Sequence, residues 1–404
     1  MHPALKNRPG LSLPIAMGAT VMIGIIIAAG TFMSLQDYRL DRNMLFQERA
    51  LAAAEEGQAR IVKDWALAWN NKPFGDTITR DYSMADGSRA HVVTTKLNSY
   101  TYWVMSEGSA NPTSRQLNAR RRTNLLLRLN VPNLRIPGAV AAREATRATG
   151  SALMGGDDLN PTGWTDCDPP GPPVPGIATD SVADGATTGG CAGGVCITTT
   201  ATSKLGADTL LRDTSTFSQY GGLNYDSLKA QAAAAGAGMV INVTGALSGI
   251  GPTYNGDGSC NKADPRNWGD PLRNAVTPGK CEDYFPIIYL KSAPTYDVVV
   301  NGGRGQGVMI VDGNLKLNGT FEWYGPIIVR GNFSTNGTVS STGVKVFGGV
   351  MAANLNCNSS NPSSSPCNDI TGNSKVQFSR CAITSAVTKQ AKAVMATRSW
   401  ADLF

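Results

Sequence analysis

Between Arg8 and Asp37 this chain carries no charged residue. The stretch from Leu11 to Leu35 holds Leu13, Ile15, Met17, Val21, Met22, Ile23, Ile25, Ile26, Ile27, Phe32 and Met33, broken only by small residues, Pro14 and a few hydroxyls. About 20 such residues span a bilayer as a helix. Pro14 falls in the first turn, where its missing N–H costs little. Gly18, Gly24 and Ala28 offer small surfaces on which a partner helix could pack closely. The same composition is also common in membrane helices that pack on nothing. Lys6 and Arg8 precede the run without an acid, whereas Asp37, Arg39, Asp41 and Arg42 balance after it. The positive-inside rule then keeps the N-terminus in the cytoplasm and exports the rest. A cleaved secretory signal is the alternative, but the apolar run is long for one and no clean small-x-small site follows it.

Composition supports an exported bulk. Charged residues make up 16% of the 404 and apolar residues 42%, with 45 Gly and 22 Pro, a β-rich and loop-rich balance. All eight cysteines lie between Cys167 and Cys381. An even number confined to the loop-rich part implies disulfides and an oxidising compartment. Zinc fits less well, because no Cys-x2-Cys pair exists and His2 and His91 are the only histidines. Short-range closure suggests Cys191–Cys196, Cys260–Cys281 and Cys357–Cys367. The net charge of +6 is modest, and its one local cluster, Arg120-Arg121-Arg122, sits in a strand-like segment. Nucleic-acid binding would need a broader basic stripe.

Past the apolar run, Gln36 to Trp69 has no proline and is rich in helix formers. Leu40, Met44, Leu51, Ala54, Ile61, Trp65 and Ala68 follow a helical stripe, and Asn70-Asn71-Lys72-Pro73 ends it. One helix from about residue 11 to 69 would reach on the order of 90 Å at 1.5 Å per residue. Arg89 to Leu97 and Tyr100 to Ser106 read as strands paired around Asn98-Ser99. Glu107-Gly108 reads as a turn and Gln116 to Leu129 as a further strand.

The basic tail, Gly10, the apolar helix and the run Ala50-Leu51-Ala52-Ala53-Ala54-Glu55-Glu56-Gly57 resemble the type IV pilin-like proteins of the PilX class. Looser matches are Gly155-Gly156-Asp157-Asp158, Asn267-Trp268-Gly269-Asp270-Pro271 and Arg398-Ser399-Trp400. The resemblance is strongest over the first 130 residues or so, and it implies a helix leading into an antiparallel sheet. It also implies a role in assembling a pilus or related apparatus at a bacterial inner membrane, with the bulk periplasmic or extracellular. Prepilin processing would cut after Gly10, yet the fifth residue beyond is Ile15, where many pilins carry Glu.

The distal half shows a different regularity. Gly307, Gly313, Gly319, Gly325, Gly331, Gly337, Gly343 and Gly349 recur every six residues. Apolar or small residues, Lys345 excepted, stand two after (Met309, Leu315, Phe321, Ile327, Phe333, Val339, Lys345, Met351) and four after (Val311, Leu317, Trp323, Val329, Thr335, Ser341, Phe347, Ala353). In short strands both positions share one face, and a six-residue period suggests a parallel β-solenoid with three hexads to a coil. An antiparallel meander is the alternative. Elsewhere Asn130 to Pro175 is irregular, Thr198 to Thr202 favours strand, Tyr225 to Ala235 reads as a short helix, and Cys381 to Phe404 as a capping helix using Ile383, Val387, Val394 and Trp400.

The expected class is therefore α+β: a transmembrane helix, a pilin-like antiparallel sheet and a β-rich, solenoid-like distal module. The segments are a cytoplasmic tail (1–10), a transmembrane helix (11–35), its extension (36–70), the pilin-like sheet (71–150), a loop-rich disulfide region (151–295), the hexad solenoid (296–355) and a cap (356–404). No catalytic, cofactor-binding or metal-ligating residue is expected. His91 lies in a strand, Asp157 and Asp158 read as turn residues, Asn255-Gly256-Asp257-Gly258 lacks an EF-hand's distal acid, and Gly303 to Gly307 lacks a phosphate loop's lysine. The expected partners are lipid and membrane or periplasmic proteins, with no nucleic acid and no small-molecule substrate. The alternative function is an accessory subunit stabilising a large integral-membrane complex through its single helix and periplasmic domain. A photosynthetic reaction-centre and light-harvesting assembly is one such host, though no motif singles it out.

Overall fold

A computed structural model describes residues 12–110, 119–188, 191, 196–234, 238–273, 281–292, 296–337, 343–389, 391–396, 399 and 401–403. Lys6, Arg8, Gly10, Leu11, Gln116, Val339, Ser341, Arg398 and Trp400 lie outside the described residues.

Helix α1 spans Ser12–Lys63, 52 residues without a break. Its apolar first part is bare, with a mean hydropathy of 2.1 and nothing buried. From Ala50 onward one face sinks into a sheet through Ala50, Ala53, Ala54, Gln58 and Ile61. The helix stops at Lys63, short of Trp69. Trp65 leaves the helical path to pack edge-on against Trp69 and Tyr102, at 5.2 and 4.8 Å between ring centroids. Its indole N–H donates to Asn70 Oδ1 at 2.9 Å, and Leu67–Asn71 tighten into a 3-10 turn.

The sheet is antiparallel: β1 (Thr77–Ser83), β2 (Arg89–Lys96), β3 (Thr101–Ser109) and β4 (Arg120–Leu129) pair in order. β2 and β3 turn at Asn98-Ser99 as the sequence implies, and β1 is an addition. Glu107-Gly108 is no turn. It lies inside β3, where Gly108 faces the helix backbone at Ala50 and Ala54 so closely that a Cβ there would collide with the Ala50 carbonyl. Gly57 is its counterpart on the helix: a Cβ would come within 2.6 Å of Ala90 Cβ. The small residues of the Ala-Gly run thus set how near α1 lies to the sheet. That interface also traps polar groups. Gln58 Nε2 and the hydroxyls of Thr94, Ser106 and Thr123 are buried without a hydrogen-bond partner.

The sheet's last strands come from the far end of the chain. Ala393–Met395 and Ala401–Leu403 both pair antiparallel with β4. The expected C-terminal helix is therefore only α3 (Arg380–Thr388); beyond it the chain turns to strand, and Val394 is 42% exposed instead of packed inward.

The distal module contains only parallel pairings among its described strands, so the meander alternative is excluded. Its rungs stack as in a solenoid. Met309 pairs with Ile327 and Leu315 with Phe333, each eighteen residues on, which is three hexads. Met309, Leu315, Phe321, Ile327 and Phe333 are fully buried, as are Val311, Leu317, Trp323 and Val329. The hexad phase fails after Gly337. Trp323 aligns with Val346, so Val344 and Val346 point inward in place of Lys345 and Phe347. A one-residue slip exchanges the two faces of a strand. Lys345 instead reaches Glu322 at 2.9 Å, and Phe347 stacks on Tyr324 at 4.9 Å in a second apolar cluster outside the coil interior.

The module is also larger than residues 296–355, and its path is permuted. Residues 140–149, grouped by sequence with the antiparallel sheet, form strands Val140–Ala142 and Thr146–Thr149 of the parallel module. One inward column runs Leu205, Ile177, Val140, Val350, Ile327, Met309, Ile288, Met239. The chain therefore enters mid-stack at 140 and builds outward to 207. It next crosses along the outside, where α2 (Tyr225–Ala233) packs on strands Gly238–Asn242 and Ile287–Lys291. It then winds back from 238 to 378. Leu211 and Phe217 plug the 207 end.

Corner asparagines tie the coils. Asn332 N–H donates to Asn314 Oδ1 at 2.9 Å, and Asn354 Nδ2 donates to Asn332 Oδ1 and Asn368 Oδ1 at 3.0 and 2.8 Å. Asn368 Nδ2 continues to Thr146 Oγ1 at 3.0 Å, across the junction between the late and early coils. The three short-range disulfides form as expected, and the fourth, Cys167–Cys381, joins residues 214 apart.

Two predictions follow from the packing. Val346→Asp should unfold the distal module at markedly lower denaturant than wild type, whereas Lys345→Gln, which loses only a partly exposed ion pair, should cost no more than about 1 kcal/mol. The reverse order, with position 345 the more sensitive, would mean that the hexad phase continues unbroken. Thr94→Val, which removes a buried unpartnered hydroxyl without changing shape, should raise stability by about 1 kcal/mol in a denaturant titration; a loss would show that the hydroxyl has a partner.

Candidate functional site

Three regions carry what this chain presents to other molecules. The first is the bare part of α1. Its two threonines are self-satisfied: the hydroxyls of Thr20 and Thr31 donate back to the carbonyls of Ala16 and Ile27 at 2.6 and 3.0 Å. A helix in hydrocarbon needs that, because no water is available to a stray donor. Gly18 and Gly24 face open space, with nothing within 4 Å of a notional Cβ. Gly24 and Ala28 stand one turn apart on a common face. Gly18 lies about a third of a turn away from Gly24 at 3.6 residues per turn, so the three do not form a single stripe.

The second region is a cleft of about 290 Å³ where the two modules meet, lined by Asn70 to Phe74, Lys96, Asp166 to Pro169 and the inner side of α3. Asn70 is its keystone. Only 2% exposed, it accepts from Trp65 and donates through Nδ2 to the carbonyls of Thr388 and Ala391, both at 2.8 Å. The ammonium of Lys96 donates to the carbonyls of Asn70 and Lys72 at 2.6 and 2.8 Å. Burial, reinforced by the charge of Lys389, pushes its pKa down to about 8. Asp166 pairs with Lys389 at 3.1 Å and Arg273 at 3.2 Å. Burial alone would raise its pKa, but the two cations hold it below the ordinary value. Tyr100 and Thr384 share a hydrogen bond across the same seam at 3.0 Å. Asp158, set aside as a turn residue, accepts from the N–H of Gly171 at 2.6 Å and of Arg380 at 2.7 Å, so it caps α3 and pins the Pro-rich loop. The cleft is stitched by its own charges and by the Cys167–Cys381 bridge.

The third region is the outer face of the antiparallel sheet. His91 lies there, exposed and 2.7 Å from Asp81. Arg120 and Arg122 both reach Glu107, at 3.1 and 2.6 Å. The Arg120-Arg121-Arg122 cluster is thus partly neutralised on its own sheet.

The remaining sequence candidates are local supports. Asp157 Oδ1 accepts from the Thr200 N–H and hydroxyl, and Asp257 Oδ1 from those of Ser259. Gly303 sits at a corner against Ile250. Among the described residues, no three His, Cys, Asp or Glu side chains are placed to hold a metal ion. Sequence reasoning passed over one titratable pair. Burial and the neighbouring Asp180 raise the Asp184 pKa to about 6, and Arg212 sits 3.0 Å from Asp180. The Asp-x3-Asp spacing was the available signal. Asn70 was legible only as a helix stop.

No protein-family model matches the sequence, and no curated protein matches it. Among solved structures, the competence-associated pilin ComZ from Thermus thermophilus overlaps 89% of this chain and 97% of its own, at 13% identity and a TM-score of 0.26. A likeness that loose carries no argument about function.

The Lys96 geometry predicts an alkaline signature. The folded pKa near 8 lies below the ordinary 10.5, so the burial penalty is fully present below pH 8. Stability should therefore rise from pH 8 toward 10.5 relative to Lys96→Met. Thermal melts of both proteins across that range check it; parallel curves would place the ammonium in solvent.

Proposed function

We propose that this protein is a non-enzymatic, membrane-anchored structural protein of the bacterial cell envelope. Its N-terminal module is pilin-like, and it serves the assembly of a pilus or related apparatus. The observation that carries this reading is the division of labour along α1. The first part is an apolar rod with no protein around it, and the second part is the spine of an antiparallel sheet. The resemblance of the basic tail, Gly10 and the Ala-Glu-Glu-Gly run to PilX-class proteins points the same way. Four disulfides, with no free cysteine among the described residues, support an oxidising compartment for everything beyond the rod.

A second reading is a permanently docked accessory subunit of an integral-membrane complex. It is favoured by the vacant small face at Gly24 and Ala28, and by Ile15 at the position where many pilins carry Glu.

Mass spectrometry of the N-terminus from native membranes separates the two. A chain beginning at Leu11 with a methylated amine supports pilin processing, and one retaining Met1 supports the docked subunit. Release of the protein by alkaline carbonate, or a C-terminal reporter active only in the cytoplasm, would sink both.

A further inference from the structure

The solvent face of the antiparallel sheet combines features that the anchor reading leaves unused. Trp103 on β3 is 48% exposed and Leu126, opposite it on β4, is 38% exposed. Met105 and Val93 continue the apolar strip across β3 and β2. The Trp103 indole is held in place, its N–H donating to Asn124 Oδ1 at 3.0 Å. Four arginines share this face: Arg89, Arg120, Arg122 and Arg128. Glu107 pairs with both Arg120 and Arg122 and so offsets one of their two charges, and Asp81 is taken by His91. Arg89 and Arg128 are exposed and make no ion pair among the described residues. Arg128 borders the strip beside Leu126, and Arg89 lies past the His91–Glu107–Arg122 row at its other side, eight positions away along β3 by register, or about 26 Å at 3.3 Å per residue.

We infer that this face is a docking surface for a protein partner that carries carboxylates on either side of an apolar contact. Trp, Met and Arg are the residue types enriched at such interfaces, and a pre-oriented exposed Trp is a characteristic anchor. The uncompensated charge at each end calls for acids in the partner. Four arginines interrupted by Glu107 and Asp81 and split by an apolar strip do not make the continuous basic track that a nucleic-acid backbone requires. A lipid surface is also out of reach: residues 36–49 of α1 hold the sheet about 20 Å beyond the end of the apolar run. The inference goes beyond the proposed function and does not depend on whether the chain enters a fibre.

The full chain in detergent micelles is titrated with an extended peptide bearing Glu at both ends and Leu-Phe at its centre, with the difference in tryptophan emission between wild type and Trp103→Phe as the readout. A saturable blue shift at the Trp103 position is expected. Affinity should fall at least tenfold in Arg89→Glu/Arg128→Glu and weaken as salt rises, and a peptide with Lys in place of Glu should give no shift. Near-UV circular dichroism matching wild type shows that the variants remain folded. The inference is overturned if the acidic peptide gives no shift, or binds the charge-reversed protein equally well. It is equally overturned if duplex DNA or vesicles of anionic lipid, and not the peptide, produce the change.

Discussion

The close approach of α1 to its sheet is the contact on which the rest of the molecule depends. Ala50, Ala53, Ala54 and Gly57 on the helix, met by Ala90 and Gly108 on the strands, bring two backbones together with little side chain between them. Small residues at such a crossing trade hydrophobic area for proximity, so the helix is gripped by shape more than by buried volume. The trapped polar atoms of Gln58, Thr94, Ser106 and Thr123 lower the net stability of that grip further, because a buried group without a partner costs about 1–3 kcal/mol. The helix must stay continuous through this crossing, since its other part has no protein to hold it.

The second constraint is closure. The antiparallel sheet takes its last strands from residues 393–403, and α3 packs on the parallel module immediately before them. Asn70 then bonds the carbonyls of Thr388 and Ala391. The Cys167–Cys381 bridge fixes α3 to the start of the Pro-rich loop. The N-terminal sheet is therefore finished by residues 393–403, after the parallel module has received its last strand, Ser374–Phe378. The permuted path of the parallel module has the same character: its junction, where Val140 stacks on Val350 and Asn368 reaches Thr146, joins segments far apart in sequence.

Much of this was legible in the residues. An uncharged apolar run has one low-energy form in hydrocarbon, and helix formers without proline carry that form onward. The six-residue glycine spacing announced stacked coils, because inward positions two and four after each glycine must meet a common core. Near-neighbour cysteines announced their own bridges. The outer-face charges were legible only as a cluster, since the pairing of Arg120 and Arg122 with Glu107 depends on which strand lies beside which.

Sequence by itself determined the local conformations and the bare rod, because these follow from hydrogen-bond periodicity and from the transfer of apolar surface, both properties of neighbouring residues. Tertiary structure alone decided the phase slip at Val344, the early end of α1 at Lys63, the mid-stack entry at residue 140 and the return of the tail to β4. Each of these is a choice among partners distant along the chain, and it is settled by which cross-chain contacts bury the most surface with their polar groups paired. Trp65 illustrates the rule: its helical spacing invited one more turn, and the rings of Trp69 and Tyr102 offered a better place to go.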